Sequence, residues 1–337
     1  MPIPLAIQAP KGFAPEDELP IKTVPNTPLW SENYWFVAFD AQTQLGVWTH
    51  MGRTAWDLSL WREVAIVYLP SGDYLVSKNF GRHGSRIGPK ASTLAFEIEE
   101  PWNRGATRMD GAAVRVSRDR AYSGLVGEGR HVGLKIDLDW QAFGPVWGMR
   151  DDDLSEQSWG ATRYEQLCET SGTITVGGEQ IAFNGTALRD HTRGPRDFLP
   201  VVKHACFSCT FPESGRGLHV LDVIVDDTNH HILRAAIVEN GELHEAEIVR
   251  STALIDTPEE AEGSYELELR WPGGHATIQA ETVRNMPTGL ASENEFIVGL
   301  DTVESYNHCF EGFARYTWDG EVAYGLSERS IRHRDTH

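Results

Sequence analysis

Between Arg189 and Asp197 the chain gathers three arginines, two aspartates and one histidine, directly after a strand-like run and across a break at Gly194-Pro195. Asp190 beside His191 offers an acid and a base, and Arg189, Arg193 and Arg196 offer cations that hold an anion or grip a carboxylate bidentately. Three nearby guanidinium groups should pull the Asp190 carboxyl below its ordinary range, which suits a base or an orienting group. His191, or Tyr164 upstream, is then the better proton donor. Read without chemistry, the same stretch is a charged surface turn or an ionic staple between domains.

A second group lies earlier. Nine of the eleven tryptophans precede residue 160, so the first half carries the larger aromatic load. Trp30, Trp35, Trp48, Trp56 and Trp61 serve either as core or, with His50, Arg53 and Asp57, as the wall of a small-molecule pocket with a few polar groups. Other constellations carry less. His204, His219 and His275 sit on separate segments without ligand spacing, and His230-His231 would face opposite sides of a strand, so no metal is expected. Cys206 and Cys209 have redox spacing, yet three positions apart in strand-like sequence they also face opposite sides. Neither a phosphate-cradling glycine loop opening a helix nor a Gly-x-Ser-x-Gly elbow occurs. Cofactors: none expected.

The elements that must position these residues are strands. Runs of five to twelve residues rich in Val, Ile, Leu, Tyr and Phe recur from Glu63 to Glu328, separated by turn signals such as Ser71-Gly72-Asp73, Gly177-Gly178, Asn240-Gly241 and Asp319-Gly320. Only Pro258 to Glu262 reads as helical. The charge run Asp151 to Glu156 interrupts the rhythm and predicts a division into residues 1–160, with a proline-rich arm, and 161–337. The fold class is all-β, with about eight antiparallel strands per half, as barrels or sandwiches.

Charge and composition narrow the partners. The formal net charge is -19, with 49 acidic against 30 basic side chains, which disfavours nucleic acid and anionic membrane surfaces. The N-terminus lacks a signal-peptide pattern and no 18-residue apolar run occurs, so a cytoplasmic location is expected, with the four cysteines reduced. A homodimer is compatible with this reading.

Three pieces of the chain together resemble a known family: Tyr34-Trp35-Phe36-Val37-Ala38-Phe39 with Gly46-Val47-Trp48-Thr49-His50; Arg189-Asp190-His191 through Gly194 to Arg196-Asp197, which is similar to an Asp-His-Ser-Trp-Gly-x-Arg-Asp pattern; and Phe310-Glu311-Gly312 with Tyr324-Gly325-Leu326-Ser327-Glu328. The family is that of tandem lipocalin-like proteins, which includes carotenoid 1,2-hydratases, kievitone-hydratase-like proteins and Diels-Alderase-like enzymes. The resemblance implies two lipocalin-like β-barrel domains, a ligand cavity near their junction and cofactor-free chemistry on hydrophobic molecules. Arg193 stands where the pattern has Trp, a cation in place of an aromatic face, which argues against carotenoid-type hydration.

These readings converge on a lyase or hydratase that adds or eliminates water, or a small fragment, on a hydrophobic terpenoid, steroid or aromatic substrate. Asp190, His191 and Tyr164 would move protons; Arg193, Arg196, Trp35, His50, Arg53 and Trp48 would bind substrate. The alternatives are a non-catalytic carrier of hydrophobic small molecules and an isomerase or cyclase using the same pocket.

Overall fold

A computed structural model describes residues 7–23, 25–82, 87–150, 159–225, 230–291, 295–298 and 307–332. The expected linker at Asp151 to Glu156 lies outside the described residues.

The first sheet holds ten strands: β1 (Trp30–Asp40), β2 (Leu45–Thr54), β3 (Trp61–Tyr68), β4 (Tyr74–Gly81), β5 (Leu94–Glu100), β6 (Arg104–Val116), β7 (Arg130–Ala142), β8 (Trp147–Arg150), β9 (Thr162–Val176) and β10 (Glu179–Pro195). Because β10 pairs with both β1 and β9, the strands β1-β2-β3-β4-β6-β7-β9-β10 close into a ring, with β5 and β8 appended. The second sheet holds nine: β11 (Val201–Phe211), β12 (Arg216–Val225), β13 (His230–Glu239), β14 (Glu242–Ser251), β15 (Ser264–Trp271), β16 (Gly274–Ala291), β17 (Glu295–Val298), β18 (Asn307–Trp318) and β19 (Glu321–Arg332). Here β15 pairs with β16 and closes the second ring. Both closures remove sheet edges that would otherwise be sticky. The all-β, lipocalin-like expectation holds, and Pro258–Glu262 forms a short 3-10 turn.

The sheets divide between Pro195 and Val201, later than the expected division at residue 160, because the ladder of the first ring is completed only by β9 and β10. The turn chemistry is as read: Asn240 and Gly241 both take positive φ, 53° and 78°, as a type I′ hairpin turn requires. Among the described residues no helix is long and apolar enough to cross a membrane.

Burial explains why some strands look continuous and others alternate. Along β1 every residue is buried. Tyr34, Phe36 and Ala38 fill the first barrel, while Trp35, Val37 and Phe39 pack outward in one cluster with Cys206, Leu221, Val223 and Phe313 of the second. A strand buried on both faces has no polar side to show. On β7, by contrast, Leu134, Ile136, Leu138 and Trp140 point in and their neighbours meet solvent. The barrels touch closely enough that a Cβ on Gly46 would lie 2.4 Å from the Phe313 ring. Tyr68 and Tyr74 donate from the first barrel to the carbonyls of Glu311 (2.8 Å) and Asn285 (2.5 Å) in the second.

Candidate functional site

The side chains that could do chemistry are delivered by two sets of cross-strand rows. On the outward face of the first barrel, register aligns His50 of β2, Trp35 of β1, Asp190 of β10 and Glu165 of β9. One step along, Asn33, Thr192 and Arg163 form a parallel row on the same face. The second barrel answers with Leu221, Cys206, Glu328 and Glu311, and beside them Val223, His204, Ser330 and Cys309. Facing each other, these rows enclose a cavity of about 80 Å³, room for several waters or the reacting end of a larger molecule. Its apolar wall is Trp35, Trp48, Trp159, Phe198, Leu221 and Val223.

Asp190 is 7% exposed and opens onto this cavity. Arg163 Nε donates to its Oδ2 at 2.9 Å, and Thr192 Oγ1 donates to Oδ1 at 3.0 Å. The other arm of Arg163 is committed to Glu165, which also contacts His219 Nδ1 at 3.0 Å. Burial therefore outweighs the single guanidinium contact, the Glu165 charge adds to it, and the Asp190 carboxyl is pushed up to about 6. The expected downward shift is thus reversed. The three arginines of its own segment do not surround it, because strand alternation sends Arg189 and Arg193 to the other face.

The same alternation separates Asp190 from His191. His191 points into the first barrel, stacks on Tyr34 at 3.8 Å between ring centroids, and meets Glu32 Oε1 through Nε2 at 3.1 Å. Burial pulls its imidazole below the usual range, and Tyr164, also inside the barrel, is pushed well above its own. Arg53 belongs to this interior network: Nε donates to Glu32 Oε2 at 2.8 Å, and the guanidinium lies 4.5 Å from the Trp61 ring. Arg193 Nη2 reaches back to Asp17 at 3.0 Å, and Arg189 holds the buried Glu18. Together these ion pairs seat the N-terminal arm on the mouth of the first barrel. His191, Tyr164, Arg53 and Arg193, the last being the cation at the pattern's Trp position, are therefore not brought to the cavity.

Trp35, Trp48, His50 and Arg196 do line it. Trp48 Nε1 donates to Glu311 Oε2 at 3.0 Å across the barrel junction, and its indole stacks on His50. Burial, reinforced by Arg62 and Arg196, pushes the His50 imidazole well below its usual range, so it is neutral near neutrality. Arg196 Nη1 donates to the Trp159 carbonyl at 2.6 Å, and its guanidinium lies 4.7 Å from the Phe198 ring; burial lowers its pKa to about 10.

Sequence reasoning missed Arg163, Thr192, Trp159, Glu311 and Glu328, and set His204 aside. Two signals were available. Glu311 and Glu328 fall inside the C-terminal motif pieces, and Cys309/Glu311 and Glu328/Ser330 are spaced two apart, hence on one strand face. Cys206 and Cys209 do split as expected, the first between the barrels and the second inside the second one, and all four cysteines are buried and free.

The architecture has solved counterparts. An AttH-like protein of Nitrosomonas europaea superposes with a TM-score of 0.55 at 15% identity, over 93% of this chain and 98% of its own. Kievitone hydratase from Nectria haematococca does so at 0.50 and 13%, covering 94% of each chain. CghA, solved with Sch210972, gives 0.54 and 12%, covering 95% and 97%. At such identities the likeness establishes the tandem lipocalin-like fold. No curated protein matches the sequence. The family described as "Domain of unknown function (DUF7064)" spans residues 14–332, and the chain belongs to that family.

Proposed function

We propose that the protein is an acid–base enzyme of the lyase or hydratase type, acting on a hydrophobic small molecule whose reacting end enters the cavity between the barrels. One observation carries this reading: Asp190, a carboxyl pushed up to about 6, borders a cavity whose wall sets tryptophan, phenylalanine and aliphatic side chains beside polar and charged ones. A group poised near the working pH can both accept and return a proton, as adding or eliminating water requires. Arg163 and Thr192 orient the carboxyl, Arg196 offers a cation to a substrate oxygen, and Trp35 and Trp48 bind the apolar body. Similarity in fold to kievitone hydratase supports the reaction class, and similarity to a chain solved with Sch210972 supports a small-molecule ligand.

The test is incubation of the purified protein with a panel of terpenoids, steroids and lignin-type aromatics in isotopically heavy water, read by mass spectrometry. Label incorporation, or gain or loss of one water, that disappears in Asp190→Asn is the expected result. Binding without any mass change in either protein would instead make this a carrier. Rearrangement at constant mass would make it an isomerase or cyclase.

A further inference from the structure

The second barrel gathers a mixed nitrogen, sulfur and oxygen donor set at the cavity: His204 and Glu328 line its wall, and the buried Cys309 lies against Glu328. His204 on β11, Cys309 on β18 and Glu328 on β19 converge because β19 runs between the other two strands, and His204, Ser330 and Cys309 lie side by side across them. His204 Nε2 stands 3.2 Å from Glu328 Oε1, Cys309 Sγ stands 3.4 Å from the same oxygen, and all three donor atoms lie within 4.8 Å of one another. In a tetrahedral zinc site with bonds of about 2.0 to 2.3 Å, neighbouring donors are roughly 3.3 to 3.7 Å apart. The Cys309–Glu328 edge, 3.4 Å, lies in that range and the His204–Glu328 edge, 3.2 Å, is just short of it. The third, between Cys309 and His204, closes by a side-chain adjustment.

Two further features point to a cation. Glu311 and Glu328 are direct cross-strand partners, both turned to the cavity, an arrangement that is destabilising for two bare carboxylates. Trp48 Nε1 donates to Glu311 and His204 Nε2 meets Glu328, and a proton or a metal ion would offset the remaining repulsion. In addition, the far nitrogen of the His204 ring is fixed by Ser330, Nδ1 to Oγ 2.9 Å, the kind of partner that orients a ligating imidazole. The guanidinium groups of Arg163 and Arg196 also line the cavity, against three carboxyl groups, Asp190, Glu311 and Glu328.

We infer that His204 Nε2, Cys309 Sγ and Glu328 Oε1 form a zinc-type divalent metal site on the wall of the inter-barrel cavity, with Glu311 beside it and its remaining coordination position open to the cavity. A three-ligand set of this composition keeps room for water or for a substrate oxygen, which distinguishes it from a closed structural site. No such assignment follows from chain spacing, since the ligands come from three strands.

The experiment uses the full chain, stripped with a chelator and titrated with zinc and separately with cobalt(II) as an optical probe. The expected result is roughly one equivalent bound, with a thiolate-to-cobalt charge-transfer band. Cys309→Ser, close to isosteric, should abolish that band, and Ser330→Ala should weaken zinc affinity by about 10- to 100-fold while leaving the ligands intact. Circular dichroism confirms that each variant keeps its strand signature. Should His204→Ala fail to fold, Cys309→Ser and Glu328→Gln carry the test. Absence of saturable binding in the folded wild type, or binding unchanged by Cys309→Ser, overturns the assignment.

Discussion

Trp35 of β1 and Asp190 of β10 are direct cross-strand partners, so an indole and a carboxyl stand side by side on the outward face of the first barrel. That pairing puts a titrating group against an apolar surface, and the second barrel then covers both. Asp190 is thereby desolvated without losing its one guanidinium partner, the combination that lifts a carboxyl without orphaning it.

Substituting Asp190→Asn keeps size and hydrogen-bonding capacity and removes the charge. Turnover of an identified substrate should fall by about two to four decades, as loss of an acid–base group typically does. His191→Gln, on the opposite face, should leave the kcat/KM of the folded fraction close to wild type. Equal losses in the two variants would overturn the division of roles.

The pH dependence of stability carries a definite sign. The folded Asp190 carboxyl sits at about 6 and an unfolded one near 3.9, so the folded state holds the proton more tightly between those values. Stability from this group is therefore greatest at low pH and is lost as pH rises through the folded value, by an amount on the order of 2 to 3 kcal/mol. Urea denaturation of wild type and Asp190→Asn at about pH 4 and about pH 7 should show the variant gaining relative stability at the higher pH. A difference independent of pH would contradict the raised carboxyl.

Inside the first barrel, Arg53→Met should be costly. It would leave Glu32, completely buried, with the His191 ring and the Ile21 amide as its partners and no guanidinium, and removing one member of a buried pair costs about 3 to 5 kcal/mol. The loss should appear in chemical denaturation as a shifted midpoint. Ligand affinity of the folded protein should change little, because Arg53 is not on the cavity wall.

Gly46→Ala probes the junction of the barrels. The new Cβ would lie 2.4 Å from the Phe313 ring, so either the ring or the whole second barrel must move, at about 1 to 3 kcal/mol. If the cavity is shared as described, ligand binding should weaken along with stability. Phe313→Leu in the same chain should restore part of both, and no rescue would argue that the contact is not the cause.

Much of the fold was readable in the chain. The turn pairs at Asn240-Gly241 and Asp319-Gly320 and the alternation along β7 specify antiparallel hairpins locally, and local chemistry is what a sequence displays. Trp35, Trp48, His50, Asp190 and Arg196, which line the cavity, stand out in the chain because aromatic and charged groups rarely cluster without reason. What the chain could not show by itself was which of them face one another. Parity along β10 sends Asp190 outward and His191 inward, but only ring closure and the docking of the second barrel make outward mean a shared cavity. Register within the second sheet brings His204, Cys309 and Glu328 together from three strands, and docking turns His204 and Glu328 into cavity wall and buries β1 on both faces. The direction of the Asp190 shift was likewise decided in three dimensions, since burial against the second barrel, absent from any local window, exceeded the pull of the nearby arginines.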